Sequence, residues 1–259
     1  MVVVFLLGLS VRWAAYQVFL DNESLFPAPA RAERAMRWAS VHLGDSSQTK
    51  AAANSGHDDP GFGLLVASFW WISGVHSPRS IHVGTLLCDM AALLMLAASC
   101  RKVFGWIPGL MAGVLYALYL PVVIEAFFLN NLLAVAHFAI LVIWLLLHTG
   151  ESITRQVLGA FAAGLAAGVA CVVRSTFFLF PILAGVPLVF RHGLKRGGLL
   201  SLVFWVVGYG SFFLAQSQMG GGTHTFWHSF YTGLGDFPNP FGIEPVDTKT
   251  FEMAAETIK

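Results

Sequence analysis

Seven apolar runs, at 2–20, 81–100, 106–122, 131–149, 157–173, 176–190 and 198–215, decide what this chain can fold into. Most approach the roughly 20 apolar residues that carry a helix across a hydrocarbon core of about 30 Å. Inside lipid every backbone N–H and C=O must bond within its own segment, so runs of this kind fold as helices. Composition agrees: 56% of the 259 residues are hydrophobic and 11% are charged, against about 25% charged in a soluble domain. The expected fold is an all-α integral membrane bundle of about seven transmembrane helices. A net charge of +1 gives no reason to expect a nucleic-acid partner. Cys88, Cys100 and Cys171 sit in or beside apolar runs, which argues against a disulfide framework or a zinc–thiolate site. The run 2–20 contains Arg12 and lacks both a basic leader and a small-residue cleavage site, so it reads as a retained span.

An eighth run, 60–76 ("PGFGLLVASFWWISGVH"), is short and holds three glycines and a Trp pair. The basic residues decide how to read it. Arg101 and Lys102 share one connection, Arg155 lies in a second, and Arg191, Lys195 and Arg196 lie in a third. Short cytoplasmic loops are enriched in Lys and Arg. All three connections fall on the cytoplasmic side if residue 1 is inside and 60–76 lies on the membrane as a juxtamembrane helix. The chain then divides into a transmembrane module, 1–215, whose first outer loop is 21–80, and an extracytoplasmic tail, 216–259. Within the outer loop, "PAPARAERAMRWASVHLG" reads as a helix opened near Pro29 and carrying Glu33 and Arg37. The tail ends in "TFEMAAETIK", a helix-like fragment without a stop signal, as expected if the chain is the amino-terminal part of a longer protein.

Charge inside a span is expensive, about 2.5–3.5 kcal/mol on insertion scales, and so marks either a pairing or a function. Asp89, midway along 81–100, is expected to face inward and pair with a neighbouring helix. Arg12 and Arg174 are each placed to reach a boundary, and Arg174 would meet an anionic phosphate at the outer leaflet or serve as an interfacial anchor. Glu125 belongs to the same rim, as a loop acid or a substrate contact. The first loop carries Asp21, Glu23, Glu33, Asp45, Asp58 and Asp59; a general base would have to come within hydrogen-bond reach of an acceptor hydroxyl, and composition alone does not choose among them.

Four stretches, in this order and spacing, resemble the GT-C superfamily of polyprenyl-phosphate-sugar glycosyltransferases, in particular the branch of protein mannosyltransferases and lipid A aminoarabinose transferases. They are "LLGLSVRWAAYQ", "HDDPGFGLLVASFWWISG", "LLMLAASCRKVFGWIPGLMAGVLYALYLPVVIEAFFLNN" and "GLAAGVACVVRSTFFLFPIL", and together they span roughly residues 2–190. The resemblance implies a GT-C-type bundle with juxtamembrane helices in the first outer loop, in a bacterial inner membrane or cell membrane. It implies transfer of a sugar from a polyprenyl-phosphate donor to a lipid, glycan or protein acceptor outside the cytoplasm, with inversion at the sugar carbon. It places a carboxylate base in the first loop, with Glu33, Asp21 and Glu23 as the candidates, and cations at the donor phosphate, with Arg174 and Arg12 as the candidates. The family's acid falls where this chain has Arg31 and Ala32. Either Glu33 takes its place or the chain is an inactive scaffold of the same fold.

In the tail, "HTFWHSFYTGLGDF" sets His224 and His228 four residues apart, on one face if helical, an arrangement that two zinc ligands use. The resemblance implies that such histidines join a first-loop group, here His57 or its neighbours Asp58 and Asp59, around a divalent metal such as zinc. The transfer itself would need no cofactor. The same segment also reads as packing, or as an aromatic surface in which Trp227 and Tyr231 stack on a sugar or lie at the headgroup boundary. A transporter is the remaining alternative. It would favour broken helices and internal repeats, and no repeat is visible.

Overall fold

The computed structural model describes residues 1–21, 30–43, 60–127 and 131–219. Among these, all regular structure is helical: α1 (Val2–Asp21), α2 (Ala30–His42), α3 (Pro60–Ser73), α4 (Pro78–Phe104), α5 (Trp106–Leu118), α6 (Leu120–Glu125), α7 (Asn131–His148), α8 (Ile153–Val173), a 3-10 turn (Ser175–Leu179) and α9 (Phe180–Met219). Five helical stretches, in α1, α4, α7, α8 and α9, are long and apolar enough to cross a membrane. Their outer faces expose Leu87, Phe190, Leu194, Val206 and many other large apolar side chains. A surface this apolar needs lipid as its solvent, so the chain is a multi-pass membrane protein.

Side-chain pairings fix the direction of each helix. Gly8 of α1 meets Leu93 and Met90, and the Phe19 ring lies tilted against His82, so α1 and α4 run antiparallel. Gly113 of α5 faces Val4 and Ala97, while Gly109 abuts Arg101, so α5 returns along α4. A break at Tyr119, just before Pro121, separates α5 from α6. Pro121 has no N–H to continue the bonding of α5, and it sits instead in the first turn of α6, where that N–H is not needed. Helix α7 runs parallel to α4, and α8 comes back beside α7, with Asn131 bonded to Val173 at one end and Thr149 against Gly159 at the other.

Helix α9 differs from the two spans with a loop expected at 176–190 and 198–215. The helix reverses at a single residue, Gly193 (φ 77°, ψ 165°), a conformation open essentially only to glycine. Its arms then pair antiparallel: Ser201 Oγ donates to Gly185 O (2.8 Å), Trp205 Nε1 to Pro181 O (2.9 Å) and Tyr209 Oη to Phe178 O (2.9 Å). The second arm lies parallel to α8. There Gly164 and Gly168 let the backbones approach, and a Cβ on Gly168 would stand 2.6 Å from Gly208 O. This is the small-residue packing by which helices associate in lipid.

The bundle thus has two unlike ends. One gathers Met1, the α4–α5 turn, the α7–α8 turn and the Gly193 reversal. The other gathers the close of α1, the start of α4, α6, the α8–3-10 junction and the last turn of α9, and it carries α2 and α3. Helix α3 has 14 residues, about 21 Å at 1.5 Å per residue, too short for the ~30 Å core. Both its termini touch this one end: a Cβ on Gly61 would sit 2.6 Å from Val172 O, and the Trp70 indole donates to Ser77 O at 3.0 Å. It therefore lies across the end of the bundle. Helix α2 buries Ala35 and Ala39 against Phe62 and Val66, and Trp38 covers Gly63, leaving Glu33 and Arg37 on the exposed face.

Candidate functional site

Two polar constellations lie within this frame, one buried in the bundle and one at the α2–α3 end. The buried one centres on Asp89, fully enclosed. Arg12 Nε donates to Asp89 Oδ2, Tyr116 Oη donates to Oδ1 (2.8 Å), and His137 Nε2 sits 3.2 Å from the same oxygen. Arg12 Nη1 also donates to Ala117 O at 2.9 Å, and its guanidinium lies 5.7 Å from the Tyr116 ring. Four helices, α1, α4, α5 and α7, are joined at one point. The neighbouring-helix partner of Asp89, left unnamed by the sequence, is Arg12 of α1. That places the Arg12 guanidinium inside the bundle, at 1% exposure, nine residues and so about 14 Å of helix before the end of α1. Of the two arginines expected at the donor phosphate, Arg12 is thus paired with Asp89.

At the α2–α3 end Arg174 follows α8 in extended conformation (φ −154°, ψ 109°). Its Nη1 donates to Asn131 Oδ1 at 3.0 Å, and Asn131 Nδ2 donates to Val173 O at 3.3 Å. The fully buried Asn131 therefore does two things. It answers a carbonyl that the end of α8 leaves without an intrahelical partner, and it holds the guanidinium at the rim by a charge-assisted bond. The first turn of α3 rests on Val172 and Val173, immediately before Arg174. Glu125 closes α6 at the same end, and its half-buried side chain keeps one oxygen, Oε2, enclosed and without a hydrogen-bond partner among the described residues.

Beneath α3, a cleft of about 330 Å³ opens between α3, α4 and α7, walled by Phe62, Phe69, Cys88, Met95, Phe138 and Leu141. Its wall is almost wholly apolar, as an alkyl or isoprenoid chain requires. His137 joins the buried constellation to the cleft, since it lines the cleft and bonds Asp89.

Of the residues picked out by sequence, the structure brings Arg174, Glu125 and Glu33 to one end of the bundle. Glu33 lies on the solvent face of α2, which packs on α3. Asp21 ends α1 at that same end, and its side chain is outside the described part. Glu23, His57, Asp58, Asp59, His224, Trp227, His228 and Tyr231 lie outside the described residues, so the zinc arrangement is neither built nor excluded. Among the described residues no three His, Cys, Asp or Glu side chains cluster as a metal site. Cys88, Cys100 and Cys171 are free thiols. The sequence reading passed over Tyr116, His137 and the bonding role of Asn131. The rule that singled out Asp89, a polar group inside an apolar run, would have found His137 in "LLAVAHFAILV".

Comparison of the chain with family models, with curated proteins and with solved structures finds no match.

Proposed function

We propose that the chain is a membrane glycosyltransferase, or the amino-terminal module of one, of GT-C type. It moves a sugar from a polyprenyl-phosphate donor to a lipid, glycan or protein acceptor at the end of the bundle that carries α2 and α3. The observation that carries the proposal is the meeting of three features at that end: a cation held at the rim, Arg174, two short helices packed on the same end, and an apolar cleft beneath α3. A lipid-linked phosphosugar has the matching parts, an anionic phosphate, a polar sugar and an isoprenoid tail. The opposite end carries Arg101, Lys102, Arg155, Arg191, Lys195 and Arg196 and is read as cytoplasmic. Taken with the antiparallel arms of α9 and the α5–α6 pair, the helix directions support seven crossings and an extracytoplasmic site.

In the reaction, a carboxylate takes the proton from the acceptor hydroxyl as its oxygen attacks the sugar carbon. The bond from that carbon to the phosphate oxygen breaks, and polyprenyl phosphate leaves. Arg174 stabilises the charge gathering on the leaving phosphate. Glu33 is the base proposed, from its place on α2, and Glu125 is a second carboxylate at the same rim. The inactive-scaffold reading rests on Arg31 and Ala32 standing where the family resemblance places the acid.

The test is sugar transfer by the purified chain in membranes containing polyprenyl-phosphate sugars. Arg174→Ala is expected to lower the rate by roughly 100-fold or more, the usual loss for one transition-state donor, and Glu33→Gln is expected to lower it with little change in donor binding. Full activity in both variants would refute the site. No transfer from the parent with any such donor would favour the scaffold.

A further inference from the structure

The end of the bundle away from Arg174 carries a second pocket that the transferase reading does not use. It measures about 320 Å³ and is lined by Met1, Ala98, Arg101, Lys102 and His148. It exists because α4 and α7 run parallel and finish at the same level, so that the last turn of α4 brings Arg101 and Lys102 beside His148 in the last turn of α7.

Three observations bear on what would fill it. The first is charge. Six cations lie at this end of the bundle against one carboxylate, Glu151. Arg191 bonds Leu146 O, and Arg196 bonds Gln156 and Glu151 O. Arg101 and Lys102 are exposed and have no acidic partner among the described residues; the Arg101 guanidinium lies 5.4 Å from the Trp106 ring, which leaves its N–H edge open. A cation in the last turn also answers the negative end of its own helix, but that accounts neither for the pocket nor for two cations on one helix end.

The second is the wall below. Ala91, Met95, Ala98 and Lys102 follow one another at helical spacing on α4, and Phe138, Leu141, Leu145 and His148 do so on α7. The pocket therefore sits at the foot of the seam that holds the apolar cleft, where Ala91, Met95, Phe138 and Leu141 form part of the lining. The third is length. Lys102 to Ala91 is about 16 Å of helix, close to half of the ~30 Å hydrocarbon core and so to the reach of one acyl chain within one leaflet.

We propose that this pocket binds an anionic phospholipid of the leaflet at the basic end, with the headgroup phosphate between Arg101, Lys102 and His148 and one acyl chain laid along the Ala98–Met95–Leu141 seam. Basic pockets between helices at the cytoplasmic surface hold such headgroups by general electrostatics. A free phosphate matches Arg101 and Lys102 but leaves the apolar wall unused. The headgroup site is about 35 Å of helix from the start of α4, and only the tip of the acyl chain would reach the cleft, at Met95 and Leu141, so headgroup selection is read independently of sugar transfer.

The test uses the full chain purified in a neutral detergent. Thermal unfolding and native mass spectrometry are followed while phosphatidylglycerol, phosphatidylcholine or inorganic phosphate is added. Phosphatidylglycerol is expected to raise the unfolding temperature and to remain bound, phosphatidylcholine to do neither, and phosphate alone to give no shift. The Arg101→Gln/Lys102→Gln variant is expected to bind at least 10-fold more weakly. Ala98→Phe, which keeps the charges and fills the pocket, is expected to do the same. Arg155→Gln/Lys195→Gln, which removes two exposed cations from the same end outside the pocket, should bind as the parent does. Equal loss in that control would mean diffuse attraction, a phosphate shift equal to the lipid's would mean a free-anion site, and equal stabilisation by phosphatidylcholine would mean no headgroup selection. Each of these results overturns the proposal.

Discussion

Replacing Asp89 by alanine removes the acceptor for three donors at once, from Arg12, Tyr116 and His137. The Arg12 guanidinium then stays buried with only Ala117 O at 2.9 Å and Gly8 O at 3.5 Å, and its Nη2 already has no partner among the described residues. Breaking a buried ion pair by deleting one member destabilises by about 3–5 kcal/mol, because the other charge is stranded. At roughly 2 °C per kcal/mol for a chain of this size, Asp89→Ala should lower the unfolding temperature by about 6–10 °C in detergent. Removing both charges should hurt less, since apolar replacements of similar volume are often neutral or better for a buried pair. Arg12→Leu/Asp89→Leu is therefore expected to unfold above Asp89→Ala, and a double-mutant cycle completed with Arg12→Leu measures the coupling. If Asp89→Ala unfolds with the parent, or the double variant unfolds below it, the network is not what ties these four helices together.

Gly168→Val should destabilise the α8–α9 contact, because the new carbons meet the Gly208 backbone, which cannot move aside as a side chain can; a fall in unfolding temperature larger than that of Gly210→Ala, where space is open, checks it. Gly193→Ala, placed where φ is 77°, should lose about 1–3 kcal/mol from backbone strain, read by denaturant unfolding. Gly61→Val should lift α3 from Val172 and Val173 and lower sugar transfer while leaving the unfolding of the long helices near the parent value. With native cysteines replaced, probes at Lys195→Cys and Ser217→Cys should react from opposite sides of sealed vesicles; labelling from one side alone would end the seven-crossing reading.

The long apolar elements were legible because lipid leaves the backbone so few choices. The run 2–20 is α1 to within one residue at its end, and 131–149 is α7 with one residue fewer. The reading of 60–76 as a juxtamembrane helix rests on charge in other segments; the structure gives α3 14 residues, with both ends at one level of the bundle. The Gly193 reversal was not legible. A glycine between Arg191 and Lys195 looks like any loop glycine, and only the backbone, helical on both sides of Gly193, shows how short the reversal is. The Asp89 network was half legible. Its charges stand out against apolar sequence, but helices that are apolar all round carry no stripe to say which neighbour each face meets. The choice of Arg12, Tyr116 and His137 belongs to tertiary packing. At the rim, Arg174 was visible as a charge at the end of a run, whereas Asn131, a neutral residue at a span boundary, gave no signal until its two bonds were seen.

The partnership of Arg12 with Asp89 also bears on how the protein is made. The two residues are 77 positions apart in the chain, and synthesis runs at about 5–20 residues per second. The arginine therefore emerges roughly 4–15 seconds before its carboxylate exists. Throughout that interval the first helix carries an unanswered cation that hydrocarbon resists. Its stable lodging in the bilayer must wait for the fourth helix, which makes the two a single unit of insertion despite all that is translated between them.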